Sequence, residues 1–462
     1  MSSQPPDAYP VERTRWKRSA WSRSAELALA PVIALMMLPP LVPEQSNGYA
    51  GIRPWTAGTE YEAGEFVTYH GQTWEAVADV AAGHEPLGVG DGSDRDQRLL
   101  LSRRVGFGRN VTGGYVPRSR AEVVYVTTDA DSGPGSMREA VSGDEPRWVL
   151  FAHDYQIRLT SGLRIGSNKT IDGRGRDVLI QAPDDGDGNN WGLQIYNESN
   201  VIVHNIRIDE CGDYTRQALN DPYDCIDIEA ASRVWIDHVS LSQAVDKLID
   251  VQIGARRITV SWSHFWEHVP EAADTEYAQQ VFQIGSGWAG QTIESASTIT
   301  SHHNYFDDTG YRHPVVSYGK VHAFNNYVYS FSLYGMQSER QAQMYIEGNV
   351  FENTDGVTKE ATTFEVGGNG CNDDGTICDD RDGYIKATNN VAVNARIHTH
   401  QPGRVFDPHA LYAYTVDPPD EALKALLEGF AGWQPLRWRR TAGTVAERHA
   451  GGIVACADFR ER

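Results

Sequence analysis

Cysteine is scarce in this chain, with five residues in 462. None has the C-x-x-C spacing of a zinc site, so a zinc-organised fold is excluded. Cys211 and Cys225 are near enough in sequence to pair, as are Cys371 and Cys378, which leaves Cys456 over. Such a count permits disulfides in an exported protein without requiring them. Basic residues are in deficit, 41 Lys and Arg against 62 Asp and Glu, for a net charge of −21. A nucleic-acid binder needs a basic face, so that class of partner falls away. An acidic chain that handles a polyanion needs a local exception, through a bound cation or clustered Arg and Lys. Long apolar runs are also missing. The longest, Leu27 to Val42, is broken by Pro31, Pro39 and Pro40. It falls short of the about 20 residues of a spanning helix. It follows a basic stretch (Arg13, Arg15, Lys17, Arg18, Arg23) and precedes the small residue Ala50. That is the pattern of a signal peptide over residues 1–50, so the mature protein is expected to be secreted and free of the membrane.

What is present points to β structure. There are 44 glycines, and hydrophobic residues make up 40% of a chain long enough for one large domain and one small one. Residues 51–88 hold Trp55, Tyr61, Tyr69 and Trp74 within twenty residues, and Gly64 and Gly71 mark turns between short strands. In so small a region large aromatics are either the whole core or a surface on which sugar rings stack. Their spacing resembles the small chitin- and cellulose-binding modules attached to chitinases, although the further Trp usual in those modules is absent. The resemblance implies an insoluble polysaccharide as a partner of these four residues. Residues 89–104, rich in Gly, Asp and Arg, read as a linker, and residues 105–462 as the main domain.

From residue 200 onward a repeat sets the fold. VIVHNIRI, VWIDHVSL, ITVSWSHF, ITSHHNYF, VHAFNNYV, YIEGNVFE and IKATNNVAV each place a polar residue between alternating apolar ones. Taking Asn205, His238, Ser263, Asn304, Asn326, Asn349 and Asn390 as equivalent gives short steps of 22 to 25 residues, with longer steps where loops are inserted. A β repeat of that period means a solenoid. The leucine spacing of a leucine-rich repeat is missing. The expected fold is all-β, a right-handed parallel β-helix. Stacked Asn side chains are expected to bond from coil to coil. EALKALLEGFAGW (Glu421 to Trp433) has helical spacing and is expected to flank the solenoid.

The segment DCIDIEAASRVWIDHVSLSQAVDKLID concentrates carboxylates in strand-forming sequence: Asp224, Asp227, Glu229, Asp237, Asp246 and Asp250. Their repulsion is offset either by solvent on an exposed face or by a hard cation such as Ca²⁺.

In order along the chain, DSGPGSMREAV, SNKTIDGRG, DCIDI, VWIDHVSLS, VDKLIDV, ITVSWSHF and RHPVVSYGKVHAFNN resemble the pectate lyase family over about residues 122–420. The resemblance implies secreted, Ca²⁺-dependent β-elimination of polygalacturonate, an acidic polysaccharide, on a right-handed parallel β-helix; a monomer is expected. It implies Asp224, Asp246 and Asp250 as calcium ligands, and Arg312 as the base that abstracts a proton from the sugar. A salt bridge from Arg312 to Asp307 or Asp308 is the plainer alternative. Asp237 and His238 of WIDH, with His302, His303 and His322, are expected to serve structure.

This chain departs from the family at three positions. Lys247 stands where Gly is usual, which crowds the acidic set. Pro270 and Ser317 replace a Lys and an Arg that contact substrate. Charge-assisted contacts of that kind are worth about 1.5–3 kcal/mol each. Either other cations substitute, with Arg256, Arg257 and Lys320 as candidates, or the substrate is less acidic. Two other classes stay open: a β-helix that binds polysaccharide without cleaving it, and a β-helix glycoside hydrolase, which needs two facing carboxylates.

Overall fold

The computed structural model describes residues 53–56, 58–69, 72–76, 80, 90, 92–117, 122–182, 191–212, 223–268, 280–285, 297–365, 382–435 and 438–440. The export segment, Pro270, Cys371, Cys378 and Cys456 lie outside them. Among the described residues no helix is long and apolar enough to cross a membrane.

Three parallel sheets, one of ten strands and two of nine, form the body of the molecule. Each coil contributes one strand to each sheet in turn. One coil runs through Ser232–Asp237, Ser240–Ser242 and Lys247–Gln252, and the next begins at Arg256–Ser261. The fold is therefore a parallel β-helix. Its core follows from register. Val201, Val234, Ile258, Ile299, Val321, Met344 and Ile385 are successive partners across the ten-stranded sheet. All seven are fully buried, and each such side chain contributes about 1.5–3 kcal/mol.

Between the first and second strands of each coil the chain turns through one left-handed residue. These are Asn205, His238, Trp262, His303, Asn325 and Asn389, at φ of 57°, 52°, 47°, 54°, 51° and 50°, with Gly348 in the same place at 63°. The next residue in each coil points inward. There Asn304 Nδ2 donates to Asn326 Oδ1 at 3.0 Å, Asn326 Nδ2 to Asn349 Oδ1 at 2.9 Å, and Asn349 Nδ2 to Asn390 Oδ1 at 2.9 Å. The expected ladder exists, with one correction. Asn205 and His238 belong to the left-handed position, one residue before the ladder. Their coils carry the apolar Ile206 and Val239 at the ladder position instead.

The described part of the segment expected to be a linker is ordered structure. Asp94–Leu101 is a helix capped by Ser93, whose side chain accepts from Asp96 N. Its Leu100 and Leu101 pack on Trp148, Leu150, Ile202 and Trp235. The strap that follows lies on the outer face of the ten-stranded sheet. Phe107 N, Gly108 N, Gly113 N and Gly114 N donate to Thr300, Thr259, Asn200 and Thr170 in turn, each at 3.0 Å.

The aromatic region before it is also different from the expectation. Phe66–Tyr69 and Gln72–Ala76 pair antiparallel, and Trp438–Arg440 from the far end of the chain completes their sheet. Tyr61 and Trp74, expected to stack on sugar, are 2% and 6% exposed and form the core with Val67, Ala76 and Val80. Trp55 and Tyr69 pack against that core, edge to face at 5.1 Å. Tyr61 and Trp74 therefore have no face left for a sugar, while Trp55 and Tyr69 stay half-buried.

Glu421–Phe430 is helical as expected, capped by Asp420. Leu423 and Leu427 bury against Tyr305, Tyr327 and Val350.

Candidate active site

The outer face of the third sheet carries a row of polar side chains because its strands share one pattern. In Asp224–Glu229, Lys247–Gln252 and Gln280–Ile284 the first, fourth and, where polar, sixth residues face out, while the others enter the core. Register then stacks Gln194, Asp227, Asp250 and Gln283 on adjacent strands, and Lys247 beside Gln280.

The three carboxylates expected to ligate calcium do come together. They surround an ammonium. Lys247 Nζ lies 3.3 Å from Asp224 Oδ1, 2.5 Å from Asp246 Oδ2 and 3.2 Å from Asp250 Oδ2. The Lys247 backbone N also donates to Asp224 Oδ1 at 2.9 Å, and Gln252 Nε2 holds the other oxygen of Asp250 at 2.7 Å. Burial disfavours charge on Lys247, but Asp224, Asp250 and Asp246 outweigh it and hold the ammonium well above the usual lysine range. Burial, with Asp246 and Asp250 adding repulsion and Lys247 opposing it, lifts Asp224 well above the usual carboxylate range. Calcium needs six to eight oxygens at about 2.3–2.6 Å. The point these carboxylates share is filled by Nζ, so a divalent ion does not fit this arrangement.

Asp227 accepts from Gln194 Nε2 at 2.9 Å, and Gln194 Oε1 accepts from Arg164 Nη2 at 2.9 Å. Burial, reinforced by Glu229 and Asp250, pushes Asp227 up to about 7.

Arg312 lies one strand beyond, at a left-handed φ of 69°. Its Nη1 donates to Gln280 Oε1 and Gln283 Oε1, so the alternative ion pair with Asp307 or Asp308 is not formed. Asp307 faces His264, and Asp308 accepts from Ser330. Arg312 Nε is buried without a hydrogen-bond partner among the described residues. Burial favours the neutral guanidine, but Tyr334, Tyr311 and Glu339 outweigh it and raise Arg312 above the usual arginine value.

Arg257 and Lys320 are not brought to this row. Both begin strands of the ten-stranded sheet or lie within their first residues, past the corner at the other end of the third-sheet strands. Ser317 is buried and donates to Glu339 Oε2 at 3.0 Å. Gln280, Gln283, Gln194 and Arg164 are site residues that the sequence did not single out.

The histidines make their contacts within the fold. Asp237 Oδ2 lies 3.0 Å from His204 Nδ1 and 2.8 Å from His238 Nδ1. Burial opposes its charge, yet His238 and His204 hold it well below the usual carboxylate range. His303 Nε2 meets Asp417 at 3.0 Å, and His322 Nδ1 meets the Tyr412 hydroxyl at 2.8 Å, which fastens the C-terminal segment to the coils. Cys211 and Cys225 form a disulfide at the edge of the acidic strand.

Fold and row together define a parallel β-helix with a charged site on one sheet face. The family model described as pectate lyase matches residues 155–434. The chain is 31% identical to a pectate lyase of Nicotiana tabacum over 287 residues, 58% of this chain and 66% of that one. It is 32% identical to a pectate lyase of Zinnia elegans over 274 residues, 55% of this chain and 63% of that one. It thus spans less than two thirds of either relative's length. A crystal structure of the major allergen from cedar pollen superposes with a TM-score of 0.57 at 25% identity, covering 75% of this chain and 97% of that one. The chain belongs to the pectate lyase family.

Proposed function

We propose that this protein is a secreted polysaccharide lyase that cleaves pectate, or a related uronic-acid polymer, by β-elimination. The observation that carries the reading is Arg312, buried at the end of the polar row with its Nε unpartnered among the described residues. A uronate bound along the row gives its C5 proton to the Arg312 guanidine in its neutral form. The electron pair left behind forms the C4–C5 double bond, and the glycosidic oxygen leaves C4 and takes a proton from water. Once it has taken the proton, the Arg312 guanidinium faces the uronate carboxylate and stabilises the negative charge there. The base role implied by family resemblance needs the guanidine neutral, which burial favours and Tyr334, Tyr311 and Glu339 oppose. Calcium is the cation usual in this family. Here Lys247 stands among the carboxylates, so calcium dependence is what a chelator decides. The Cys211–Cys225 disulfide agrees with an oxidising, extracellular location.

A second reading, a β-helix that binds uronate polymer without cleaving it, is favoured by the firm protonation of Arg312. One assay separates the two. Purified protein is incubated with polygalacturonate and with methyl-esterified pectin, and the ultraviolet absorbance of the unsaturated product is followed with and without chelator. Absorbance that is lost in Arg312→Ala supports the lyase. Polymer binding with no absorbance on any uronate polymer supports the second reading.

A further inference from the structure

We propose that Lys247 is the resident cation of this site: its ammonium takes the place a metal ion would hold among Asp224, Asp246 and Asp250, and the chain needs no divalent cation there. The inference rests on the lyase reading only for its activity arm.

Three features carry it. First, the lysine is enclosed. Its side chain is 8% exposed, and it meets one oxygen from each of three carboxylates at 2.5–3.3 Å. An ammonium has three N–H donors, so three carboxylates satisfy it. Second, the carboxylate oxygens are already engaged. Asp224 Oδ1 takes both the backbone N and Nζ of Lys247, Asp250 Oδ1 takes Gln252, and Asp227 is turned to Gln194. A metal ion would have to displace the ammonium and reorganise these bonds together. Third, among the described residues the row is occupied on the Arg312 side of the lysine. The neighbouring strand presents Gln280 at its register position, and Gln280 Oε1 already accepts from the Arg312 guanidinium. Moving the ammonium that way would set two cations side by side.

The test is calcium binding, measured by titration calorimetry and by terbium luminescence, on the wild type, Lys247→Ala, Lys247→Met and Asp250→Asn. All four are first checked for the wild-type β circular dichroism spectrum. The expected result is no saturable calcium uptake at this site by the wild type. Lys247→Ala, or Lys247→Met where the alanine variant does not fold, should take up one calcium ion at least about tenfold more tightly, because affinity follows the charge of the ligand set. Wild-type melting temperature should be unmoved by chelator, and that of the Lys247 variant raised by calcium. Saturable calcium binding by the wild type that Asp250→Asn abolishes overturns the proposal. So does failure of the folded Lys247 variants to bind calcium, since the carboxylates would then be no cation cage. If the wild type cleaves uronate polymer, the rate should be the same with chelator present. An absence of all cleavage overturns the lyase reading and leaves the calcium result to decide the role of Lys247.

Discussion

Gln283 lies in register with Asp250 on the adjacent strand, and its Oε1 accepts a hydrogen bond from Arg312 Nη1. The row of the third sheet is thereby continuous from its acidic part to the guanidinium. Because the residue at 312 has a left-handed backbone, the side chain depends on such contacts for its direction.

Gln283→Leu should therefore lower kcat/KM on polygalacturonate by about tenfold, the equivalent of one hydrogen bond to a charged group, about 1.4 kcal/mol. The melting temperature should stay near that of the wild type. Gln283→Glu should keep Arg312 in place while holding it more firmly protonated, and so move the pH optimum upward. Unchanged kinetics in both variants would show that Gln283 does not position Arg312.

The asparagine ladder makes a prediction about stability. Asn326 donates to Asn349 Oδ1 and Ser301 O and accepts from Asn304 N and Nδ2, all fully buried. Asn326→Ala strands several of these groups, at about 1–3 kcal/mol each. Urea denaturation should show a loss of at least about 3 kcal/mol. Asn205→Ala should cost less, because Asn205 lies outside the ladder and instead bonds Gln434 of the C-terminal segment.

That contrast marks how far the sequence could be read. The repeat of polar residues between apolar strands gave the coil and the ladder. It misplaced Asn205 and His238 by one residue, because Asn and His are also at home at a left-handed corner, and the true ladder positions in those coils are apolar. Asp224, Asp246 and Asp250 were legible from the family resemblance. Gln280 and Gln283 were not, because the residues inserted between His268 and Gln280 hide the coil step. The charge of Lys247 was legible as crowding, but only the fold turns the side chain into the space between three carboxylates. Trp55, Tyr61, Tyr69 and Trp74 showed the opposite limit: spacing names an aromatic cluster and does not say which ring faces are covered.

For that cluster the expected phenotype is loss of fold. Trp74 is 6% exposed, packs with Tyr61 and Val80, and donates from Nε1 to Tyr69 O at 3.3 Å. Trp74→Ala should destabilise the three-stranded sheet by about 3–5 kcal/mol. Limited proteolysis should then cut the chain within residues 51–88 while the β-helix stays intact. A variant that resists protease but loses retention on cellulose or chitin would restore the sugar-stacking reading.

Stability should fall as the pH drops below neutral, and two histidines give the window. His313 is buried. Its Nδ1 donates to Gly335 O at 3.1 Å, and its Nε2 lies 2.9 Å from the Thr309 hydroxyl. His268 is buried with Nε2 facing Gln280 O at 2.9 Å and Asp246 O at 3.2 Å. Burial depresses both, His313 to about 3 and His268 to about 4. In the unfolded chain each titrates near the ordinary value of about 6.5. Between those values the unfolded state holds a proton that the folded state does not, so unfolding takes up protons and acid favours it. The contribution is fully present above about pH 6.5 and is lost as pH falls towards 4, by roughly 3 kcal/mol per histidine. Urea denaturation at pH 7 and at pH 5 should show the drop. His313→Gln should be less stable than the wild type at pH 7 and should lose less on acidification. An equal loss in both proteins would place the acid sensitivity elsewhere.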